Sequence, residues 1–92
     1  MIEGTYGVSL DLDTNADLTG ATAVQYVILK PSGKRITVTG AVYNPTQGII
    51  RYTTQDGDFD EDGDYQVQGV VDVGATKKLK TEIVEVEVLK AL

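Results

Sequence analysis

Apolar and polar side chains alternate along most of this chain. In the first such stretch, Val8, Leu10 and Leu12 are separated by small or polar residues. A period of two is typical of a strand that turns one face toward a core. The alternation predicts about six or seven strands. They cover residues 6–12, 21–30, 35–43, 49–54, 65–71 and 79–88.

Turn residues separate these strands. Pro31 to Lys34 has proline at the first corner and glycine at a later one, which predicts a hairpin between the second and third strands. A second turn lies at 44–48, and an acidic loop extends over 55–64. In the last strand the apolar phase slips at Ile83 and Val84, which predicts a β-bulge there.

No segment has a sustained helical period, so the pattern predicts an all-β fold. The number and spacing of the strands favour a small antiparallel sandwich, with a small barrel of the oligonucleotide-binding type as the rival architecture. The acidic charge argues against the usual ligand of that barrel. The length of 92 residues fits one domain, and we expect a single sandwich domain over 1–92.

The start of the penultimate strand adds a more specific signal. Gly63, Tyr65 and Val67 follow a loop, so that Tyr65 precedes an inward-facing residue by two positions. This layout resembles the tyrosine corner of immunoglobulin-like sandwiches, in which a tyrosine hydroxyl bonds to backbone a few residues upstream. The resemblance implies that Tyr65 bonds to the backbone of the 55–63 loop. It also implies a sandwich without a disulfide, because valine stands at the core position.

Composition limits the chemistry. The chain has no histidine and no cysteine, so the commonest general base, the commonest zinc ligand and any thiolate nucleophile are missing. We therefore expect a protein that is not an enzyme. The net charge is −6, which disfavours partners with a phosphate backbone or an anionic lipid surface. We expect neither nucleic acid nor membrane as a partner.

The acidic loop contains a partial metal motif. Asp58, Asp60 and Asp62 stand at alternate positions before Gly63, as in the first half of a calcium loop. The glutamate that a complete EF-hand requires is missing, because Gly69 occupies its position. Two interpretations remain: a looser calcium site at the three aspartates, or a solvated acidic turn. Mutual repulsion among these acids predicts that the loop is mobile without a cation.

Candidate interface residues lie mainly at the end of the chain. The phase slip gives the last strand apolar groups on both faces, more than one thin core can use. Two tyrosines on either side of the turn before the fourth strand are further candidates, since tyrosine is enriched at protein interfaces. The complete set is Val84, Val86, Val88, Leu89, Leu92, Tyr43 and Tyr52.

Three turn-and-strand motifs carry a family resemblance. The chain has DLTGA at 17–21 before a strand, KPSGK at 30–34 in a hairpin turn, and Gly63-Asp64-Tyr65 at a strand entry. With the closing strand at 81–88, this arrangement is similar to the N-terminal domain of phage baseplate upper proteins. The resemblance covers most of the chain. It implies an immunoglobulin-like module of the virion, made in the host cytoplasm.

The resemblance implies a role in holding virion parts together. Because the chain ends at Leu92, we expect a small accessory protein of the baseplate, neck, tail or capsid surface. Its partners would be larger virion proteins, with several copies or a homo-oligomer in each particle. A carbohydrate- or cell-surface-binding module that uses calcium at the acidic loop is the alternative hypothesis. No cofactor is expected beyond that possible calcium.

Overall fold

The computed structural model describes all residues, 1–92. It contains eight strands, and no helix long and apolar enough to cross a membrane. The strands are β1 (Ser9–Asp13), β2 (Ala23–Leu29), β3 (Arg35–Thr39), β4 (Ala41–Asn44), β5 (Ile49–Thr53), β6 (Gly63–Val73), β7 (Lys77–Lys80) and β8 (Val84–Val88).

The strands form two antiparallel sheets. The smaller sheet has the order β1-β5-β4, and the larger has the order β3-β2-β6, with β7 and β8 both paired to β6. These orders correspond to strands B-E-D and C′-C-F-G of an immunoglobulin sandwich. The predicted all-β antiparallel sandwich is therefore confirmed, with eight strands instead of about seven.

The inward-facing residues of the two sheets form one core. In β2 and β6, every second side chain is buried, as the alternation predicted. Apolar side chains removed from water contribute roughly 25 cal/mol per Å² of buried area. The buried apolar residues are Leu12, Leu18, Val24, Tyr26, Ile28, Ile50, Tyr52, Phe59, Tyr65, Val67, Val71 and Val88.

The hairpin predicted between the second and third strands is present as β2 and β3. Tyr26 lies opposite Val38, and Ile28 lies opposite Ile36. The turn closes with a hydrogen bond from the Lys30 N–H to the Lys34 carbonyl, 2.8 Å long. Gly33 has φ of 92°, a value that glycine adopts without steric cost.

The predicted third strand is divided at Gly40. Residues before it belong to β3 in the larger sheet, and residues after it belong to β4 in the smaller sheet. A Cβ at this position would lie 2.9 Å from the Tyr26 ring. Only glycine therefore allows the backbone to pass the ring closely as it changes sheet.

The phase slip in the last strand is a β-bulge, as predicted. Between the paired ends of β7 and β8, residues 68–69 of β6 face residues 81–83, so one strand has an extra residue. The Gly69 N–H donates to the Thr81 hydroxyl at 2.9 Å, and the Thr81 N–H donates to the Gly69 carbonyl at 3.0 Å. These bonds hold β7 and β8 in line along β6.

The first strand begins later than predicted. β1 starts at Ser9, three residues after the predicted start at position 6, and Tyr6 is 60 % exposed. Gly4 and Gly7 both have φ of 81°, which bends the chain before β1. The Gly7 N–H donates to the Thr54 carbonyl at 2.8 Å. Residues 4–8 therefore form a bent segment.

We predict that Gly40→Ala destabilises the fold. The added methyl group must displace the Tyr26 ring or the backbone near Arg51, whose carbonyl would lie 3.1 Å away. Overpacking of this kind costs about 1–3 kcal/mol of unfolding free energy. Urea denaturation measures this cost, with Thr39→Ala as the exposed neighbouring control. Equal midpoints for Gly40→Ala and the wild type would contradict the close approach.

Candidate functional site

Tyr65 forms the expected corner. Its ring is fully buried and lies 4.8 Å from the ring of Phe59, centroid to centroid. Its hydroxyl donates to the Glu61 carbonyl at 2.9 Å and accepts from the Glu61 N–H at 2.9 Å. The hydroxyl therefore bonds backbone four residues upstream, inside the predicted loop.

The two other corner residues have structural roles. Val67 is buried, in line with its predicted core position. Gly63 has φ of 127°, and a Cβ there would lie 2.8 Å from the Pro31 ring. The corner therefore packs against the β2–β3 turn. Sequence reasoning missed Phe59, which is buried although it stands among acidic residues.

Contrary to the calcium-site interpretation, the three aspartates of the acidic loop do not come together in the structure. No three acidic residues of the structure lie close enough together to hold a metal ion. Asp58 is buried, and accepts hydrogen bonds from the Tyr52 hydroxyl at 2.5 Å and the Gln55 N–H at 2.8 Å. Asp60 instead binds Lys30, while Asp62 is exposed. The carboxylates therefore have separate surroundings.

Lys30 holds the acidic loop in place. Its side chain is only 5 % exposed, and its Nζ lies 2.7 Å from Asp60 Oδ1 and 2.9 Å from the Gly57 carbonyl oxygen. The hydrogen bond between Lys30 and Asp60 lowers the pKa of Asp60 and raises that of Lys30. Asp60 therefore stabilises the fold fully at pH values above the pKa that it has in the unfolded chain. This stabilisation is lost as the pH falls through the lower pKa of Asp60 in the folded protein.

The acidic loop has contacts that the expectation of a mobile loop did not take into account. The Lys30 ammonium offsets part of the acidic charge, and Phe59 is buried in the core. The Ser32 hydroxyl also donates to a Glu61 carboxylate oxygen at 3.1 Å. The loop thus has fixed contacts with the β2–β3 turn and the core.

The predicted interface residues divide into surface and core. Val84, Leu89 and Leu92 are exposed, by 41 %, 51 % and fully, and Tyr43 is exposed by 57 %. Val86 is half-buried.

Two interface predictions are wrong. Val88 is buried because it faces inward opposite Gly63 at the start of β6. Tyr52 is buried because it faces the core from β5, with its ring 5.5 Å from that of Tyr26.

The exposed apolar residues near the chain end have a partner that sequence reasoning missed. Ile2 forms a parallel bridge with Leu89, and its side chain is 46 % exposed. The Leu89 N–H donates to the Met1 carbonyl at 2.7 Å, and the Glu3 N–H donates to the Leu89 carbonyl at 2.8 Å. Ile2 and Leu89 therefore form one exposed apolar patch, with Leu92 three residues further along the chain.

The outer face of the smaller sheet carries an interacting group of three side chains, Arg51, Asp11 and Tyr43. Arg51 donates two hydrogen bonds to Asp11, at 2.6 and 2.7 Å, and its guanidinium lies 3.5 Å from the centroid of the Tyr43 ring. The hydrogen bonds from Arg51 lower the pKa of Asp11. An open cleft of about 380 Å³ lies beside this group, lined in part by Tyr43, Thr53 and Gln55.

No family model, curated protein or solved structure matches this chain. Its own contacts and surface, together with its turn motifs, therefore carry the functional proposal.

We predict that Tyr65→Phe lowers the unfolding free energy by about 1–2 kcal/mol, because both backbone groups of Glu61 lose their partner. Chemical denaturation measures the change. Tyr6→Phe is the matched control, since Tyr6 is exposed. An unchanged midpoint for Tyr65→Phe would show that the corner hydroxyl does not stabilise the fold.

We predict that calcium does not change the thermal stability of the protein. A calcium ion at this loop would have to separate Asp60 from Lys30 and Asp58 from Tyr52. Melting curves in excess chelator and in millimolar calcium should coincide. A calcium-dependent rise in Tm that is absent in Asp60→Asn would restore the metal site.

Proposed function

We propose that this chain is a non-enzymatic structural protein of a bacteriophage virion. It binds larger virion proteins, is present in several copies, and joins the particle after synthesis in the host cytoplasm. The exposed apolar patch of Ile2 and Leu89, with exposed Leu92 three residues further along the chain, carries this proposal, because solvated apolar groups beside a strand end favour a protein contact.

The motifs behind the family resemblance have structural roles, which supports their reuse within one fold. Leu18 of DLTGA is buried, and Asp17 accepts hydrogen bonds from the N–H and hydroxyl of Thr19, at 2.8 and 2.6 Å. Lys30 of KPSGK holds the acidic loop, and Tyr65 forms the corner. The motifs therefore build the sandwich and leave its outer surfaces free to contact partners.

The bonding of three carboxylates supports a role without catalysis. Asp58 is bound by Tyr52, Asp60 by Lys30 and Asp11 by Arg51. A general acid or base needs a proton-transfer position open to substrate. These acids instead stabilise turns and a sheet face.

Several copies per particle fit a contact made by few apolar side chains. A few apolar side chains give each copy only a modest contact with its partner. When subunits are linked in one particle, many modest contacts together hold more strongly than each would alone.

We predict that removal of residues 90–92 lowers the number of copies in purified phage particles without unfolding the domain. Quantitative mass spectrometry of particles measures the copy number, and the Tm of the free protein checks the fold. The double variant Leu89→Ser, Leu92→Ser tests the same patch while it keeps the hydrogen bond from the Ala91 N–H to Glu3.

Tyr43→Ser is the control on the other sheet. If both patch variants incorporate normally and Tyr43→Ser does not, the contact lies on the face around Tyr43. If the wild-type chain is absent from the particles, the virion proposal is wrong.

One observation favours a carbohydrate- or cell-surface-binding module as a second candidate. The open cleft beside Tyr43 combines an exposed aromatic ring with Thr and Gln side chains. Such a cleft would bind without calcium, since the acidic loop does not form a metal site. Glycan binding that persists in chelator and is lost in Tyr43→Ala would favour this function.

A further inference from the structure

One edge of the smaller sheet has no partner strand. β1 pairs with β5 alone. At the two ends of this ladder, the Thr54 N–H donates to the Val8 carbonyl and the Thr14 N–H donates to the Gly48 carbonyl. Because antiparallel bonding alternates along a strand, Ser9, Asp11 and Asp13 direct their backbone groups away from β5. These groups form a free edge.

The core is open beside this edge. Val84 of β8 lies opposite Val67 of the neighbouring strand β6. Because paired residues share a face of the sheet and Val67 is buried, Val84 also faces inward, yet it is 41 % exposed. The smaller sheet ends at β1, so no strand lies over Val84. A cleft of about 200 Å³ lies here, with Leu12 and Val84 as its apolar lining residues. One further strand beside β1 would cover this opening.

The charges at the opening select the kind of strand. Asp11, Asp13 and Glu82 line the cleft, and no basic residue does. Arg51 compensates Asp11, which leaves Asp13 and Glu82 without a cation. A second copy of β1 is a poor occupant, because antiparallel pairing of two such edges would bring like charges together across the strands.

We propose that the free edge of β1 accepts a strand from a partner protein in which basic and apolar residues alternate. The strand forms main-chain hydrogen bonds with Ser9, Asp11 and Asp13, as in other cases of strand addition to a sheet edge. Its apolar side chains cover Leu12 and Val84. Its basic side chains meet Asp13 and Glu82 at the rim.

The proposal goes beyond the virion role, since it specifies the conformation and charge pattern of a partner segment from any class of protein. It concerns the β1 side of the cleft, whereas the patch of Ile2, Leu89 and Leu92 lies at the other end of β8. The two contacts can therefore be tested separately.

The test uses three capped synthetic peptides and the whole protein. The first alternates lysine and valine, the second has the same composition in two blocks, and the third alternates glutamate and valine. We expect the first to bind at least about tenfold more tightly than the second, and the third not to bind. NMR amide shifts should concentrate on Ser9, Asp11, Asp13 and the Val84 region.

Two charge variants separate this site from general attraction to an acidic protein. Asp13→Lys with Glu82→Lys should weaken binding of the alternating peptide by about tenfold or more. Asp56→Lys with Asp62→Lys makes the same change in net charge at exposed positions of the acidic loop, and should have a much smaller effect. The Tm of both variants verifies folding.

Equal binding of the alternating and block peptides, equal effects of the two charge variants, or shifts elsewhere would overturn the proposal. No binding at all would also overturn it, and would show that the acids only guard the edge. That failure leaves the copy-number result for the patch variants standing. Conversely, peptide binding by a protein absent from particles overturns only the virion role.

Discussion

The link that the Tyr26 side chain makes between the two sheets is the interaction on which the rest of this sandwich depends. Tyr26 belongs to the larger sheet, and its hydroxyl lies 2.7 Å from the Leu10 carbonyl oxygen and 3.0 Å from that of Ile50, both in the smaller sheet. A buried hydroxyl without partners would be costly, so this geometry also fixes the spacing of the sheets. The same ring borders Gly40, where the chain passes from one sheet to the other.

Around that centre, the acidic loop has a structural task. Asp58 reaches Tyr52 in the core, and Lys30 draws Asp60 toward the β2–β3 turn. Two aspartates of the partial calcium motif therefore connect parts of the chain that are distant in sequence. Apolar groups meet solvent mainly at the edges and ends of the sheets, where the proposed protein contacts lie.

The sequence predicted local features well. The hairpin at Pro31, the corner at Tyr65 and the bulge just before Val84 each depend on turn chemistry or on alternation within a few residues. The change of sheet at Gly40 could not be predicted this way. Ile36, Val38 and Val42 keep the same phase through it, because the inward faces of both sheets meet one core. The pairing of Lys30 with Asp60 was equally hidden, since it depends on the fold and not on spacing.

The parallel bridge between Ile2 and Leu89 has a mechanical consequence. Met1 to Glu3 and the end of β8 run side by side in the same direction, joined by short backbone hydrogen bonds. If the two ends of the chain were pulled apart, these strands would slide along each other and their bonds would be loaded together. Such shear resists force better than opening bonds one at a time, so tension applied through the termini would meet its first resistance at this pairing.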